Sequence, residues 1–390
     1  MEILTLFLYV LLSITAVAAI YQFVFAVAGL FRKPASYHPA ATQRLRRMAV
    51  FLPAYREDAV ILDSAVRALD QCYSKGLFDV VVIADSLKPE TVATLRKLPI
   101  KLVEVVFEVS TKSKALNAAM QQLGDEYEVA VILDADNIIA PDFLSRINQA
   151  MERGWLVVQG HRTAKNTNTS TAVLDAISEE INNHILRKGH RVLGLSSALI
   201  GSGMAFDYKL FKEVMGQIHT LGGFDKELEM RLLRQRVRIE YLDDAICYDE
   251  KVQNPAVFEK QRTRWIAAQF KYVRLNFVPG VQHLLRGNID YFDKVFQNML
   301  PPRIMLLGMV VLATCFTWPI WGASTVTWFA TIQLVMVAAT FYISTPSELR
   351  QKLGWREFSQ VPALFLRFVR AILKMGEAQK KFLHTPHGTE

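Results

Sequence analysis

Val129-Ala-Val-Ile-Leu-Asp-Ala-Asp-Asn137 joins an uninterrupted aliphatic run to two aspartates that stand two residues apart. An aliphatic run of this kind is typical of a strand that is buried on both faces of a sheet. The stretch therefore predicts a buried strand that delivers the carboxylates of Asp134 and Asp136 to its carboxyl end.

Further apolar runs alternate with helix-like segments on both sides of this stretch. The strand-like runs begin at Met48, Asp79, Lys101 and Trp155. The helix-like segments lie at about 58–73, 91–97, 114–123 and 142–153. Alternation of this kind predicts an α/β fold with a largely parallel, doubly wound sheet. Ligands bind such sheets beyond the carboxyl ends of the strands.

Several function classes are disfavoured by what the sequence lacks. No G-x-G-x-x-G follows the first strand and no Walker loop occurs, so a dinucleotide or P-loop enzyme is not expected. The three cysteines are widely separated, which argues against disulfides and zinc and favours a reducing compartment. The net charge of +8 comes without a nucleic-acid motif and fits a cytoplasmic surface beside a membrane.

Both ends of the chain carry apolar segments long enough to cross a bilayer. Residues 3–30 form the first, for which a cleaved signal peptide is the weaker interpretation. Residues 304–321 and 324–343 predict a tight helical hairpin. Basic residues follow the first and third spans, so the positive-inside rule places the N-terminus outside and the middle domain in the cytoplasm. The chain is thus expected in a membrane, a bacterial inner membrane by this topology.

Two amphipathic segments predict helices that lie in the membrane interface. In residues 361–375, Arg367 and Arg370 share one helical face and apolar side chains occupy the other. Residues 281–300 show a weaker version of this pattern, and packing on the globular domain is the alternative for both segments. The expected divisions are 1–31 (membrane helix), 44–280 (catalytic domain), 281–300 (interfacial helix), 303–344 (hairpin) and 345–390 (cytoplasmic tail).

The paired carboxylates of Asp134 and Asp136 predict a divalent-metal site. Carboxylate oxygens suit Mg²⁺ or Mn²⁺, and such an ion can also coordinate a substrate diphosphate. Asp85 ends an earlier strand and could accept hydrogen bonds from a nucleobase or ribose, or form an Asx turn. Lys112 precedes a helical run, where a bound anion would offset its unfavourable position, although a solvated lysine is the alternative.

Two later motifs carry further candidates. Phe224-Asp-Lys-Glu-Leu-Glu-Met-Arg231 offers Glu227 and Asp225 as candidates for a base that takes a proton from a hydroxyl group, or merely an acidic helix start. Gln261-Arg-Thr-Arg-Trp265 offers a guanidinium for phosphate oxygens and an indole face for a sugar, or an anchor at the membrane surface.

Taken in order, these motifs resemble the inverting family-two glycosyltransferases, in the membrane branch that contains cellulose, chitin and hyaluronan synthases. The resemblance covers about residues 49–269 and implies a Rossmann-like GT-A domain, which is built on a doubly wound mixed sheet and flanked by membrane and interfacial helices. The motifs that carry it are PAYRE, IADS, KSKALN, DADN, GSG, DKELE and QRTRW.

The resemblance also implies a role for each motif residue. Tyr55, Glu57 and Asp85 would line the nucleobase and ribose pocket. Donor-diphosphate contacts would come from Lys112, Gln261 and Arg264. Asp134 would contact nucleotide and metal, with Asp136 the main metal ligand. Acceptor binding would fall to Gly201, Ser202, Gly203 and Trp265.

The sequence departs from the family pattern at two points. The family usually shows Glu-Asp where this chain has Lys226-Glu227, so alignment makes Glu227 the base and leaves Asp225 a rival. Three spans are also fewer than the cellulose synthases have, so a homo-oligomer or a partner export subunit is left open as the route for a polymer.

Three functions are therefore open. The first is a polysaccharide-synthase-like enzyme that extends a glycan at the cytoplasmic face from a nucleotide sugar, with UDP favoured by the resemblance. The second is a single-addition transferase that acts on a lipid-linked acceptor, and the third is an inactive scaffold subunit. Membrane lipids are expected partners in each case, and nucleic acid is not.

Overall fold

A computed structural model describes residues 2–32, 44–220 and 222–373 of the chain. The strands are β1 (Met48–Tyr55), β2 (Phe78–Asp85), β3 (Lys101–Val105), β4 (Val129–Ile132), β5 (Ile138–Ile139), β6 (Val157–Ala164), β7 (Met204–Asp207) and β8 (Glu240–Asp249). The helices are α1 (Glu2–Gly29), α2 (Ile61–Ala68), α3 (Pro89–Leu95), α4 (Lys112–Leu123), α5 (Phe143–Glu152), α6 (Ser170–Asn182), a π-helix (Asn183–Gly189), α7 (His190–Val192), α8 (Tyr208–Met215), α9 (Phe224–Arg234), α10 (Pro255–Leu285), α11 (Ile289–Met299), α12 (Arg303–Trp321), α13 (Thr325–Ser344), α14 (Ser347–Arg350) and α15 (Trp355–Leu373).

The strands form one mixed sheet in the order β3-β2-β1-β4-β7-β6-β8-β5. The strands β3, β2, β1 and β4 run parallel, as the alternation of strands and helices predicts. β7 then pairs antiparallel with both β4 and β6. The carboxyl ends of β1, β2 and β4 therefore meet at one edge of the sheet, where the polar residues that follow these strands lie together.

Side-chain alternation along the strands divides the core between the two faces of the sheet. On β1, Ala49 and Phe51 pack on the face covered by α4, α8 and α9. Met48, Val50 and Leu52 pack on the opposite face, against α2 and α5. All five are fully buried, and an aliphatic strand between two helical layers is stabilised on both of its sides.

The sheet becomes mixed in the second half of the domain, as the resemblance implies, because β7 is antiparallel to both of its neighbours while β6 and β8 pair in parallel. The strand expected at Trp155 begins at Val157 and extends to Ala164, and its antiparallel partner β7 did not stand out in the sequence. β8 also escaped notice, because Asp243 and Asp244 interrupt its apolar pattern near an irregularity in its pairing with β6.

The expected boundary at residue 280 and the expected single helix over 281–300 both differ from the structure. α10 continues without a break to Leu285, and α11 begins at Ile289 after a short turn. Tyr291 and Val295 of α11 are fully buried against the core that includes α9. The segment therefore packs on the globular domain, which was the alternative to an interfacial position.

Three helices are long and apolar enough to cross a membrane among the described residues. They span Leu6–Gly29, Arg303–Trp321 and Thr325–Ser344, close to the expected segments. α1 packs against α12 and α13, and the hydroxyl of Thr15 donates to Oε1 of Gln333 at 2.7 Å. This buried hydrogen bond satisfies two polar side chains that would otherwise face hydrocarbon.

The end of α1 is held tightly against the domain that contains the sheet. A Cβ atom at Gly189 would lie 2.1 Å from the backbone oxygen of Phe25, so only glycine allows this approach of the π-helix to α1. At the next turn, a guanidinium nitrogen of Arg32 donates to Oε1 of Glu240 at 3.0 Å. The membrane helix is thereby fixed directly to the sheet.

The expected amphipathic helix in the tail is present and longer than predicted. α15 begins at Trp355, whereas residues 374–390 of the expected tail, including Lys374, lie outside the described residues. α15 packs against α10 and α12, and Phe368 lies edge-on to Phe258. The apolar face of α15 therefore packs on α10 and α12, and its amphipathic pattern also suits a membrane surface.

Candidate functional site

One cavity of about 1730 Å³ lies at the carboxyl edge of the sheet and extends along α10 to the membrane helices. It collects most of the residues that the sequence singled out. Those on its wall are Tyr55, Glu57, Asp85, Lys112, Asp134, Gly201, Asp225, Gln261, Arg264 and Trp265. Asp136, Ser202, Gly203 and Glu227 are not part of the wall.

Lys112 ties the metal-site candidate to the GSG loop. Its Nζ donates to Oδ1 of Asp134 at 2.6 Å and to the backbone oxygen of Gly201 at 2.7 Å. Lys112 is the first residue of α4, a position where a cation is unfavourable for the helix dipole. The contact with Asp134 offsets that disadvantage and leaves the ammonium group at the cavity wall.

Asp134 carries a negative charge in this setting. Burial raises the pKa of Asp134, but the charges of Lys112 and Arg162 outweigh burial and leave the pKa below its usual range. About a third of the Asp134 side chain remains exposed to the cavity. The group is thus an ionised carboxylate that a cation or a polar ligand can reach.

Asn137 organises the carboxylates at the end of β4. Its Oδ1 accepts from the backbone N of Asp134 at 3.0 Å, and its Nδ2 donates to Asp249 at 3.0 Å and to Asp136 at 3.4 Å. Asp136 is 1% exposed, and it also accepts from the backbone N of Glu250 at 3.0 Å. The expected main ligand therefore lies behind the wall, whereas Asp249 lies on it.

Burial and the carboxylates of Asp136 and Asp134 raise the pKa of Asp249 to about 8, against the lowering effect of Arg162. Asp249 was not predicted from the sequence, because it is the last residue of β8, a strand that the sequence pattern did not reveal. Its position in the sheet brings it to the DADN motif from more than a hundred residues away in the chain.

Arg162 is a second residue that the sequence did not reveal. It is buried, and its Nη1 lies 3.8 Å from Asp134 and 3.6 Å from Asp249, while Nε donates to Glu179 at 2.6 Å. Lys251, also buried, forms ion pairs with Glu179 and Asp249. Arg162 and Lys251 thus neutralise the carboxylates from behind the cavity wall. The only sequence signal for Arg162 was the polar second half of β6, which follows two valines.

Tyr55, Glu57 and Asp85 form the part of the wall where β1 and β2 end. Tyr55 and Asp85 are paired in register, and Asp85 is 2% exposed, with the Ser86 hydroxyl donating to its Oδ1 at 3.0 Å. The guanidinium of Arg56 lies 5.1 Å from the Tyr55 ring centroid. The aromatic ring can stack on a base, and the neighbouring carboxylates can accept hydrogen bonds from that base.

The glycines of the GSG loop adopt backbone conformations that glycine favours, and Gly201 lies against α9. Gly201 has φ 88° and Gly203 has φ 61°, conformations that favour glycine. A Cβ atom at Gly201 would lie 3.7 Å from a carboxylate oxygen of Asp225. Ser202 is fully buried and its hydroxyl accepts from Arg162 at 3.2 Å, so Ser202 supports the loop rather than facing the cavity.

Asp225 and Glu227 differ in their surroundings. Asp225 lies on the cavity wall beside Gly201. Glu227 accepts two hydrogen bonds from Arg231, at 2.8 and 3.0 Å, and lies near the Tyr272 hydroxyl at 3.4 Å. The structure therefore places the rival candidate in the cavity and gives the residue chosen by alignment an ion-pair partner elsewhere.

The QRTRW motif lies on α10 and faces the cavity. Arg262 is stacked on Trp265, with the guanidinium carbon 4.2 Å from the ring centroid, and forms a buried ion pair with Asp175 of α6. Trp265 is 40% exposed. One face of the indole is thus fixed by a cation, and much of the remaining ring surface is accessible.

The donor atoms at the end of β4 fit a divalent cation that is shared with a substrate. No group of three or more His, Cys, Asp or Glu side chains in the described ranges has the arrangement of a complete metal site. Mg²⁺ is usually held by one or two carboxylates, with waters and substrate phosphates completing its coordination. Asp134 and Asp249 on the wall supply carboxylates of that kind.

Comparison with protein families identifies the catalytic part of the chain. Residues 46–268 match the model named Glycosyltransferase like family 2. The chain belongs to this family. The matched range contains every motif from PAYRE to QRTRW, so the resemblance inferred from the sequence is confirmed.

Curated relatives of the chain are bacterial glycosyltransferases. It is 26% identical over 279 residues to the glucans biosynthesis glucosyltransferase H of Caulobacter vibrioides, a match that covers 63% of this chain but 42% of that protein. It is 24% identical over 326 residues to an N-acetylglucosaminyltransferase of Rhizobium meliloti, covering 77% and 74% of the two chains. The chain thus spans less than half of the first relative.

A solved structure shares the fold over nearly the whole chain. The mannosyltransferase PcManGT from Pyrobaculum calidifontis, solved in complex with GDP-Man and Mn²⁺, has a TM-score of 0.57 and 17% identity. The match covers 94% of this chain and 97% of that one. It confirms the GT-A architecture, with its mixed sheet, for the family member described here.

Proposed function

We propose that the chain transfers a sugar, with inversion, from a nucleotide sugar to a hydroxyl group of a glycan or lipid-linked acceptor. The observation that carries this proposal is that Asp85, Lys112, Asp134 and Asp225 line one cavity. These side chains are the types needed to bind a nucleoside, a diphosphate and a cation, and to accept a proton.

The donor would lie across the carboxyl ends of β1, β2 and β4. We assign Tyr55, Glu57 and Asp85 to the nucleobase and ribose. We assign Lys112, Gln261 and Arg264 to the diphosphate, because ammonium and guanidinium groups form strong hydrogen bonds with phosphate oxygens. Family resemblance favours a UDP-sugar, and the GDP-Man bound to PcManGT makes GDP-sugars the second donor class to test.

A divalent cation would be held by the carboxylates that Asn137 brings together. We assign the larger share of the coordination to Asp134, with Asp249 and the more buried Asp136 completing the set. When bound, Mg²⁺ or Mn²⁺ supplies neutralisation of the charge on the departing diphosphate. The Mn²⁺ in the PcManGT complex supports this assignment.

Asp225 is the base that the geometry favours. In the proposed reaction, the acceptor oxygen attacks the anomeric carbon while the bond from that carbon to the donor phosphate breaks. The hydroxyl proton passes to Asp225 and the nucleoside diphosphate leaves. Glu227 is less suited to this role, because Arg231 occupies one of its carboxylate oxygens.

Two observations bear on the acceptor. Relatives named for glucan biosynthesis and N-acetylglucosaminyl transfer support extension of a glycan. The continuation of the cavity to Leu307 and Phe341 of the membrane helices favours an acceptor attached to a lipid. In both cases Trp265 would stack on the acceptor sugar beside Gly201.

The domain divisions and orientation complete the proposal. We propose a catalytic domain that begins near residue 44 and includes α10 and α11, lying on the cytoplasmic side of a bacterial inner membrane. α1 and the α12–α13 hairpin would cross the membrane, and α15 would lie at its surface. Three spans leave a homo-oligomer or a partner export subunit as the route for any exported polymer.

A donor screen tests the proposed function. Purified full-length protein would be incubated with UDP- and GDP-sugars and Mn²⁺, with nucleotide release recorded and products sized and partitioned between water and organic solvent. Release with at least one donor, lost in Asp134→Asn, is expected. A product with many sugars supports the synthase, one extractable lipid bearing one sugar supports single addition, and no release with any donor supports the inactive scaffold.

A further inference from the structure

The cavity has a polar end and an apolar end. The polar end contains the carboxylates at the edge of the sheet. The apolar end, which we name the membrane arm, is formed by α6, α12, α13 and α15, and its wall includes Ile177, Leu307, Phe341 and Phe368. Because α12 and α13 are long and apolar enough to span a bilayer, the membrane arm would lie at the level where lipid chains begin.

Two arginines lie where the membrane arm meets the polar end. Arg187 belongs to the π-helix and Arg303 is the first residue of α12, and both are on the cavity wall. Nη1 of Arg187 donates to Oδ1 of Asn183 at 2.7 Å, and Arg303 donates to Oδ1 of the neighbouring Asn182. Arg303 also lies within electrostatic reach of Arg187, so we name these two residues the arginine pair.

The arginine pair has no carboxylate in direct contact among the described residues, although Glu229 and Glu180 lie within electrostatic reach of Arg187 and its Nε donates to the backbone oxygen of Ala198 at 3.1 Å. Arg187 is 2% exposed, and burial lowers its pKa to about 10. Within the described ranges, neither Arg187 nor Arg303 forms an ion pair with a carboxylate, in contrast to Arg162 and Arg262 nearby. Two guanidinium groups held together in a partly buried wall favour a bound anion, which offsets both desolvation and mutual repulsion.

We propose that the arginine pair binds the phosphate of a lipid-linked acceptor whose hydrocarbon chain lies in the membrane arm. This inference rests on the proposed function and names its acceptor class. Position favours a lipid over the donor, because Arg303 begins a membrane helix, whereas the donor end has its own cation in Lys112. The apolar wall beyond the arginine pair complements a hydrocarbon chain.

The same geometry accounts for how a sugar on that phosphate would reach the base. Arg303 lies within electrostatic reach of Arg262, and Arg262 is stacked on Trp265. A lipid phosphate at the arginine pair would therefore place its attached sugar along α10 toward Trp265 and Asp225. The sugar hydroxyl attacks the anomeric carbon of the donor while the bond from that carbon to the donor phosphate breaks and the nucleoside diphosphate leaves. The hydroxyl proton passes to Asp225, and the lipid phosphate stays intact and serves only to position the sugar.

The test measures binding without any sugar transfer. Full-length protein in phosphatidylcholine nanodiscs would be titrated with hexadecyl phosphate or hexadecanol, with bound lipid counted by native mass spectrometry. UDP and GDP affinities in Mn²⁺ would be measured on the same samples. Arg303→Gln and Arg187→Gln are the test variants, and Arg370→Gln, an exposed position on α15 away from the wall, is the matched control.

We expect the wild type to prefer hexadecyl phosphate over hexadecanol by about tenfold or more, as a charge-assisted hydrogen bond provides. Arg303→Gln should reduce that preference to about twofold, with nucleotide affinity within about twofold of wild type and Arg370→Gln unchanged. Arg187→Gln should reduce the preference for hexadecyl phosphate in the same way. If Arg187→Gln does not fold, Arg303→Gln alone is enough to test the inference.

Three results would overturn the inference. The first is that Arg303→Gln still prefers hexadecyl phosphate over hexadecanol. The second is that inorganic phosphate displaces hexadecyl phosphate at equal concentration. The third is that Arg303→Gln loses nucleotide affinity in parallel, which would assign the arginine pair to the donor. Failure of the wild type to bind any nucleotide would instead count against the proposed function, so the two failures are distinguishable.

Discussion

Oε1 of Glu227 lies 2.8 Å from Nη2 of Arg231, one turn further along α9. The ion pair turns Glu227 away from the cavity wall, on which Asp225 lies. At about 100° per residue, positions two apart on a helix point to nearly opposite sides. The same helical turn therefore presents one carboxylate to the cavity and the other to a structural contact.

Replacing the base should separate these two carboxylates. Asp225→Asn should lower kcat by about 10²–10⁴, the usual contribution of a positioned base. Glu227→Gln, the matched control, should stay within about tenfold, because it loses only a partly exposed ion pair. Steady-state nucleotide release checks both, and a larger loss in Glu227→Gln than in Asp225→Asn would return the role to Glu227.

Lys112 should matter more for the donor than for the acceptor. Lys112→Gln removes the Nζ contacts with Asp134 and Gly201, and should raise the donor KM about tenfold or more. Lys114→Gln on the same helix is the control, since the Lys114 Nζ bonds the Val109 backbone and is off the cavity wall. Equal effects of the two substitutions would mean that helix stability, not donor contact, explains the result.

Trp265 should act on the acceptor. Trp265→Ala should raise the acceptor KM about tenfold, leave nucleotide affinity nearly unchanged and be partly rescued by Trp265→Phe, because the ring supplies a stacking surface. Trp355→Ala, at an 85% exposed position on α15, should leave both parameters unchanged. A loss of nucleotide affinity in Trp265→Ala would place the indole at the donor instead.

Glu240 should make stability depend on pH. Burial raises the pKa of Glu240, but hydrogen bonds and charge from Arg191 outweigh burial and leave the pKa lowered. A lowered carboxyl pKa contributes stability above the unfolded-state value of about 4.3, and that contribution is lost as pH falls through the folded-state pKa.

Glu240→Gln should therefore reduce the free energy of unfolding by about 3 kcal/mol near pH 7, because Arg191 is left buried without its counter-ion. The difference from wild type should shrink below about pH 4.3. Thermal melts in detergent across this range provide the measurement. Glu104→Gln, which breaks an exposed pair with Arg96, should cost less than about 1 kcal/mol, and a pH-independent Glu240→Gln effect would contradict the account.

Apolar runs in consecutive residues predicted the buried parallel strands and the long apolar helices. Strands that are buried on both faces of a parallel sheet appear in the sequence as aliphatic runs. β1, β2 and β4 could therefore be predicted, together with the carboxylates that follow β4. The three long apolar helices could also be predicted, because each is an unbroken run of apolar residues long enough to cross a bilayer.

Residues brought in by long-range pairing were not predictable. Arg162 and Asp249 reach the site only because β6 and β8 pair in parallel, and β8 has a mixed polar pattern that resembles a loop. The arginine pair depends on a π-helix and the start of α12 meeting at neighbouring asparagines. Which of Asp225 and Glu227 faces the cavity depends on helix phase, and a sequence with three acids in one run leaves that open.

The central claim is that Asp134 and its neighbouring carboxylates hold a divalent cation against a nucleoside diphosphate. Calorimetric titration of the full-length protein with UDP and GDP, with Mn²⁺ or with excess chelator, tests it most directly. We predict that Mn²⁺ tightens binding of at least one nucleotide by about tenfold or more in wild type, and that Asp134→Asn loses most of this gain. Nucleotide binding that is equally tight in chelator, or unchanged by Asp134→Asn, would contradict the claim.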